Sequence, residues 1–308
     1  MTKGIYAHQA SQLAERTIEQ FADTLALGGC DEVRIKTHQF TTWTGRFDAG
    51  PAWDMTSLVE LRRVRDALKA RGIRLVPWAV PMGLDVEAEA QFGAMVAREC
   101  GALDLDVEPY AEFWPGIPRR DFSAVAPYFA RLRQLCGPSI DLTLDVPARM
   151  PYEWPAVREA VRLAAPHVDR IFLQSYFGVA QAKAAEVYVA EVAAGRPVEH
   201  IADTVHLVEM LQWLRGRPVL VWVAQQMNSA LYAALVAYTV AGPPAPGPVP
   251  APQYVVGEGL RNAMAAHGDV PVSDEGPAGA PLRYSIGKSG RIYWYAEASN
   301  HVAVAEPV

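Results

Sequence analysis

Between residues 101 and 110 the chain reads GALDLDVEPY, and acidic side chains recur there at every second position: Asp104, Asp106 and Glu108, alternating with Leu103, Leu105 and Val107. A β-strand turns successive side chains to opposite faces, so the three carboxylates share one face. In a closed parallel barrel the apolar face of such a strand meets the surrounding helices. The acidic face then points into the barrel and rises toward the C-terminal rim, where barrels of this kind do their chemistry. Carboxylates desolvated together repel one another, which raises at least one pKa, and a carboxyl that keeps its proton can act as a general acid. Glu108, at the strand end just before Pro109, is the expected functional group. Arg34 and Lys36 share the inward register of residues 32–38 and are expected to neutralise the deeper Asp104 and Asp106.

Other segments supply the rest of a site. Residues 141–147 alternate Leu142, Leu144 and Val146 outward with Thr143 and Asp145 inward, which brings a fourth carboxylate beside Glu108. Residues 170–177 turn Gln174 and Tyr176 inward, and further strands offer Tyr6, His8, His38, Trp78, Trp222 and Gln226. A lone histidine such as His8 or His38 more often fills a satisfied structural position than a catalytic one. In the expected loops stand Trp43, Trp53, Trp114 and Trp154, joined by Tyr110, Phe113 and Tyr152. An aromatic-rimmed cleft with acids at its floor suits sugars, whose C–H faces stack on rings while their hydroxyls meet carboxylates and amides. Long loops also use rings to hold themselves down, so the set carries this argument and no single ring does.

These residues resemble the family 18 chitinase-like glycoside hydrolases, whose fourth barrel strand carries D-x-x-D-x-D-x-E. Here Asp104-Leu105-Asp106-Val107-Glu108 matches the end of that motif, and Gly101 stands at its first Asp. Gln174-Ser175-Tyr176 is similar to the family's sixth-strand tyrosine motif and Trp222 to its eighth-strand tryptophan, while Phe177 replaces the Asp that follows the tyrosine. Family 25 lysozymes are a second resemblance, through Asp106-Val107-Glu108. The chitinase-like resemblance implies a barrel fold, Glu108 as general acid, Asp106 orienting the substrate's N-acetyl group as internal nucleophile, and Tyr176 supporting that group. Such chemistry departs from the usual two-carboxylate scheme. Under that scheme, Asp145 or Asp106 would be the second carboxylate.

Positioning these groups requires strands that alternate with helices. Strands are expected at residues 4–8, 32–38, 73–80, 102–110, 141–147, 170–177, 200–207 and 218–226. Helices are expected at 11–27, 57–71, 86–100, 122–136, 153–164, 181–194, 208–215 and 229–241. Eight β/α units predict an α/β chain with a (β/α)8 TIM barrel over residues 1–241, close to the typical length of about 250. An open doubly wound sheet is the alternative topology, but no Gly-rich phosphate-binding turn follows any strand.

Residues 242–252, GPPAPGPVPAP, form a semi-rigid extended connector. Residues 253–308 are expected to be a small α+β appendage, with a helix at 257–267 and a hairpin of 291–296 with 301–305. At roughly 55 residues it is near the lower limit for a self-sufficient core, so it is expected to pack on the barrel. Tyr293, Trp294 and Tyr295 give it a surface for a glycan or a protein partner, although core packing is their commoner use.

The chain has 308 residues, 51% of them hydrophobic and 20% charged, which fits a folded globular protein and excludes a mainly disordered one. A net charge of −6 offers no basic field for nucleic acid. The long uncharged stretch after Arg217 is broken by Gln225, Gln226, Asn228 and Ser229 and ends in prolines, so membrane insertion is not expected. No run of about 7–15 apolar residues with a cleavage site opens the sequence, so a cleaved export signal is not expected. Cys30, Cys100 and Cys136 cannot all pair and are expected to be free thiols.

The leading functional expectation is a hydrolase of O-glycosidic bonds in a polysaccharide, of the N-acetylated chitin or peptidoglycan type. The alternative is a catalytically inactive barrel that binds glycans or serves as a structural module. No cofactor or metal is expected, because alternate residues on one strand lie about 6.8 Å apart and no histidine pair supplies nitrogen ligands at zinc spacing.

Overall fold

The computed structural model describes residues 2–48, 53–108, 122–148 and 154–238, together with the backbone of four short strands between residues 276 and 305. The barrel strands are β1 (Lys3–Ala7), β2 (Glu32–Gln39), β4 (Arg74–Val80), β5 (Ala102–Asp106), β6 (Asp141–Pro147), β7 (Arg170–Ser175), β8 (Val198–Asp203) and β9 (Val219–Trp222). A two-residue strand, β3 (Thr42–Trp43), pairs antiparallel with the end of β2. The barrel strands pair in parallel in the order β1-β9-β8-β7-β6-β5-β4-β2, and a further parallel pairing of β1 with β2 closes the cylinder. This is a (β/α)8 barrel.

Among the described residues eight α-helices run between and after the strands: α1 (Ile18–Leu27), α2 (Leu58–Lys69), α3 (Val86–Cys100), α4 (Val125–Cys136), α5 (Trp154–Ala164), α6 (Val179–Ala190), α7 (Leu207–Trp213) and α8 (Ser229–Ala237). Their starts follow local chemistry. Thr17 and Gln20 form a reciprocal capping box at α1, and Ser57, Asp85 and Asn228 accept backbone N–H groups at the starts of α2, α3 and α8. The expected first helix, 11–27, therefore begins later: residues 10–12 make only a 3₁₀ turn, and the Thr17 cap sets the start. The seventh barrel strand lies earlier than the expected 200–207, because Val198–Asp203 pairs with β7 from Ile171 onward and Asp203 then accepts the His206 N–H in the turn to α7.

Side chains divide into two layers. Leu103, Leu105, Leu142, Leu144, Val146, Ile171 and Leu173 point outward into the main core with the helices, while Tyr6, Trp78, Phe172, Ile201 and Leu220 fill the barrel interior. Each fully buried aliphatic side chain contributes about 1.5–3 kcal/mol. Gly4 is small for a reason: a Cβ there would lie 2.5 Å from the Leu220 side chain that fills the same interior layer.

Beyond α8, β10 (Gly276–Pro277), β11 (Leu282–Ile286), β12 (Ile292–Ala296) and β13 (His301–Ala305) form one antiparallel sheet, and β12–β13 is the expected hairpin. The expected connector at 242–252 and helix at 257–267 lie outside the described residues. Among the described residues, no helix is long and apolar enough to cross a membrane.

Candidate active site

The floor of the site is a charged cluster in the barrel centre. Arg34, 1% exposed, donates to Asp104 at 2.9 Å, to Glu32 at 2.9 Å and to Thr143 at 3.0 Å. Its guanidinium also lies over the rings of Phe172 at 4.4 Å and Tyr6 at 5.6 Å. Asp104 accepts from the Tyr6 hydroxyl at 2.5 Å and from the Thr143 hydroxyl. Burial disfavours the Arg34 charge, but Tyr6, Asp104 and Glu32 outweigh it and hold the guanidinium pKa above its ordinary value. Burial, then the neighbouring Asp104, pushes the Tyr6 phenol well up. Asp104 is thus fully engaged below the mouth of the barrel.

One layer higher, Asp106 and Asp145 are direct neighbours in the parallel β5–β6 ladder. Asp145 is buried, and its carboxyl pKa is raised well above the ordinary range by desolvation and by the charges of Asp106, Asp104 and Glu108, which Arg34 only partly offsets. The repulsion expected from the sequence is therefore felt at Asp145 on β6. Lys36, on β2, lies with its ammonium 5.2 Å from the centre of the Trp78 ring. Burial lowers its pKa, and Asp106 and Glu108 act against that shift.

The regular β5 ladder ends at Asp106, earlier than the expected Tyr110, although the Val107 N–H still donates to the Asp145 carbonyl. That one further bond carries Glu108 to the rim while leaving it only 8% exposed. There, the side-chain amide of Gln174 donates to both Asp106 Oδ1 and Glu108 Oε1, at 3.1 Å each. Two oxygens that share one nitrogen at that distance lie no more than about 6 Å apart.

Around the acids stands a group of rings. Tyr6, Trp78 and Trp222 contact one another with centroids 5.7–6.1 Å apart. His8 stacks on Trp78 at 5.8 Å, and Tyr176 stacks on Trp222 at 6.3 Å. Burial and the Lys36 charge lower the His8 pKa to about 4, so His8 is neutral near pH 7.

The structure brings together Tyr6, Trp78, Asp104, Asp106, Glu108, Asp145, Gln174, Tyr176 and Trp222. Two expected residues fall elsewhere. His38 does not enter the barrel: the β2–β4 register shifts between Lys36 and His38, and this irregularity turns the ring onto Phe92 of α3 at 4.9 Å. Trp43 follows it, packing edge-on against the same Phe92 at 5.2 Å. Of the loop rings, Trp53 is 1% exposed and stacks on Phe21, and Trp154 is 3% exposed beside Tyr188, so both anchor their segments rather than line a cleft. Tyr110, Phe113, Trp114 and Tyr152 lie outside the described residues.

Two contributors were not expected. Phe172 supports Arg34 from β7, as described above. Glu89, on α3, is 2% exposed and accepts the backbone N–H groups of Met82, Gly83, Leu84 and Asp85, which fixes the loop after β4. In the sequence an acidic residue near a helix start suggests only the common dipole preference. Among the described residues no group of three or more His, Cys, Asp or Glu side chains is arranged to hold a metal ion.

No protein-family model matches the sequence, and comparison with curated proteins finds no match. Solved structures do match the fold. The chain is similar to a GH18 chitinase from Pseudoalteromonas aurantia, with a TM-score of 0.52 and 12% identity over 78% of this chain and all of that one. A chitinase from Rhizomucor miehei matches at the same TM-score, identity and coverage. At that identity the likeness is one of fold, and the chain has the barrel architecture of these glycosidases.

Proposed function

We propose that this protein is a glycoside hydrolase that cleaves O-glycosidic bonds in a polysaccharide of the N-acetylated, chitin or peptidoglycan type, with Glu108 as the general acid. The observation that carries this reading is the Gln174 amide, which holds Asp106 and Glu108 together at the barrel rim. Glu108 gives its proton to the glycosidic oxygen as the C–O bond breaks, and the leaving sugar departs as an alcohol. Asp106 orients the neighbouring acetamido group, whose carbonyl oxygen attacks the anomeric carbon. Water then opens that intermediate, and Glu108 takes back a proton from the water. Because the acetamido oxygen and then the water attack the anomeric carbon from opposite faces, the product keeps the configuration of the substrate. Trp222 and Tyr176, both partly exposed, offer ring faces to the sugar, and Trp78, 2% exposed, packs against Trp222 from within the barrel.

A second reading, a glycan-binding barrel without turnover, draws on Phe177, which is 48% exposed at the place where the resembled family has an Asp. Incubation with chitin oligosaccharides, peptidoglycan and neutral glucans, followed by assay of new reducing ends, separates the two. Release from the N-acetylated substrates supports hydrolysis, and binding without release from any substrate supports the second reading.

A further inference from the structure

We infer that Asp145 and Asp106 form a carboxylic acid–carboxylate pair that holds one proton between them, making Asp145 the residue that positions Asp106. The geometry comes first. The two side chains stand directly opposite each other on adjacent parallel strands, on the interior face. Neighbouring strands are about 4.8 Å apart, which is within reach of carboxyl-to-carboxyl hydrogen bonding. Both residues are buried, at 6% exposure for Asp106 and 2% for Asp145, so two full charges at this spacing would be costly.

Asp104 is not free to share a proton with Asp106, because Arg34, Tyr6 and Thr143 already engage it. Asp145 Oδ1 is buried without a hydrogen-bond partner among the described residues, as is Gln174 Oε1. A carboxyl oxygen in that position is costly unless it carries a proton to donate or accepts one.

The surrounding charges are consistent with one shared proton. β5 contributes Asp104, Asp106 and Glu108, β2 contributes Arg34, and Tyr6 of β1 is within electrostatic range of Asp145. On β7 the residue paired with Asp145 is the uncharged Phe172. Lys36 of β2 also acts on Asp106 and Glu108, but the negative groups still outnumber the two cations, and the raised Asp145 pKa follows from burial and from that balance.

The pair would fix the Asp106 carboxyl from two sides, with Oδ1 held by Gln174 and the shared proton held toward Asp145. That role in orienting a substrate group rests on the glycosidase reading above. The shared proton itself does not.

The test is a carboxyl 13C NMR titration of the full chain labelled at aspartate, in the wild type, Asp145→Asn and Asp106→Asn. In the wild type two aspartate carboxyl resonances should inflect together, at a midpoint at least ~2 pH units above the ordinary value near 3.9. In Asp106→Asn the surviving midpoint should fall by at least ~1 unit, because the negative neighbour is gone. One raised resonance inflecting alone would overturn the pair, since the proton would then belong to Asp145 by itself or be donated to Gln174. Aspartates that all titrate below about pH 5 would overturn it equally. The wild-type spectrum decides these points even if a variant fails to fold. A shared proton in a protein that releases no sugar would sink the glycosidase reading and leave the pair standing.

Discussion

Arg34 donates to Asp104 at 2.9 Å, with the two side chains 2% and 0% exposed, at the centre of the barrel. Removing one partner leaves a buried charge uncompensated, so Arg34→Met should lower unfolding free energy by about 3–5 kcal/mol. Replacing both residues with apolar ones should recover part of that loss. Urea denaturation measures both, and an Arg34→Met protein as stable as the wild type would show that the pair is not part of the core's stability.

Gln174 is expected to act on the reaction more than on the fold. Gln174→Leu frees Asp106 and Glu108 from their common donor. It should reduce kcat/KM on chitin oligosaccharides about 100-fold while changing stability by no more than about 1–2 kcal/mol. Steady-state kinetics beside a denaturation curve tests this, and unchanged kinetics would remove Gln174 from the site.

Attack by the substrate's own acetamido group predicts the stereochemistry. Proton NMR of the first products from a β-linked oligosaccharide should show the β-anomer before mutarotation. The α-anomer as first product would point to a water held between two separated carboxylates.

His38 gives a stability signature with a definite sign. Burial, then the Lys36 charge, lowers its pKa from 6.5 to about 3. Below pH 6.5 the unfolded chain takes up a proton that the folded chain refuses, so the contribution of His38 is fully present above that pH and is lost as pH falls toward 3. Relative to His38→Phe, the wild type should lose up to about 1.4 kcal/mol per pH unit across that window. Parallel stability curves for the two proteins would contradict it.

Much of this arrangement was legible in the sequence. The two-residue alternation in 103–108 and 142–146 follows directly from strand geometry, and it placed Asp104, Asp106, Thr143 and Asp145 inside the barrel with Arg34 as counter-ion. His38 was misplaced because a single register shift reverses the facing of every later residue, and nothing in the string EVRIKTHQ marks where the shift falls. Trp53 and Trp154 stay undecided in the sequence for a different reason: tryptophan in a loop serves equally to anchor the loop or to line a cleft, and only burial tells the uses apart. The four-amide role of Glu89 depends on how the loop after β4 curls back onto α3, which no periodicity encodes.

Glu108→Gln removes the proposed general acid with little change of shape. Reducing-end release from chitin oligosaccharides or peptidoglycan should be measured for the wild type and the variant at equal glycan binding. With Glu108 as general acid, the wild type should release sugar and the variant should lose at least roughly 100-fold, in line with the usual size of general acid catalysis. Equal release by both proteins would contradict it, and so would release by neither while glycan stays bound.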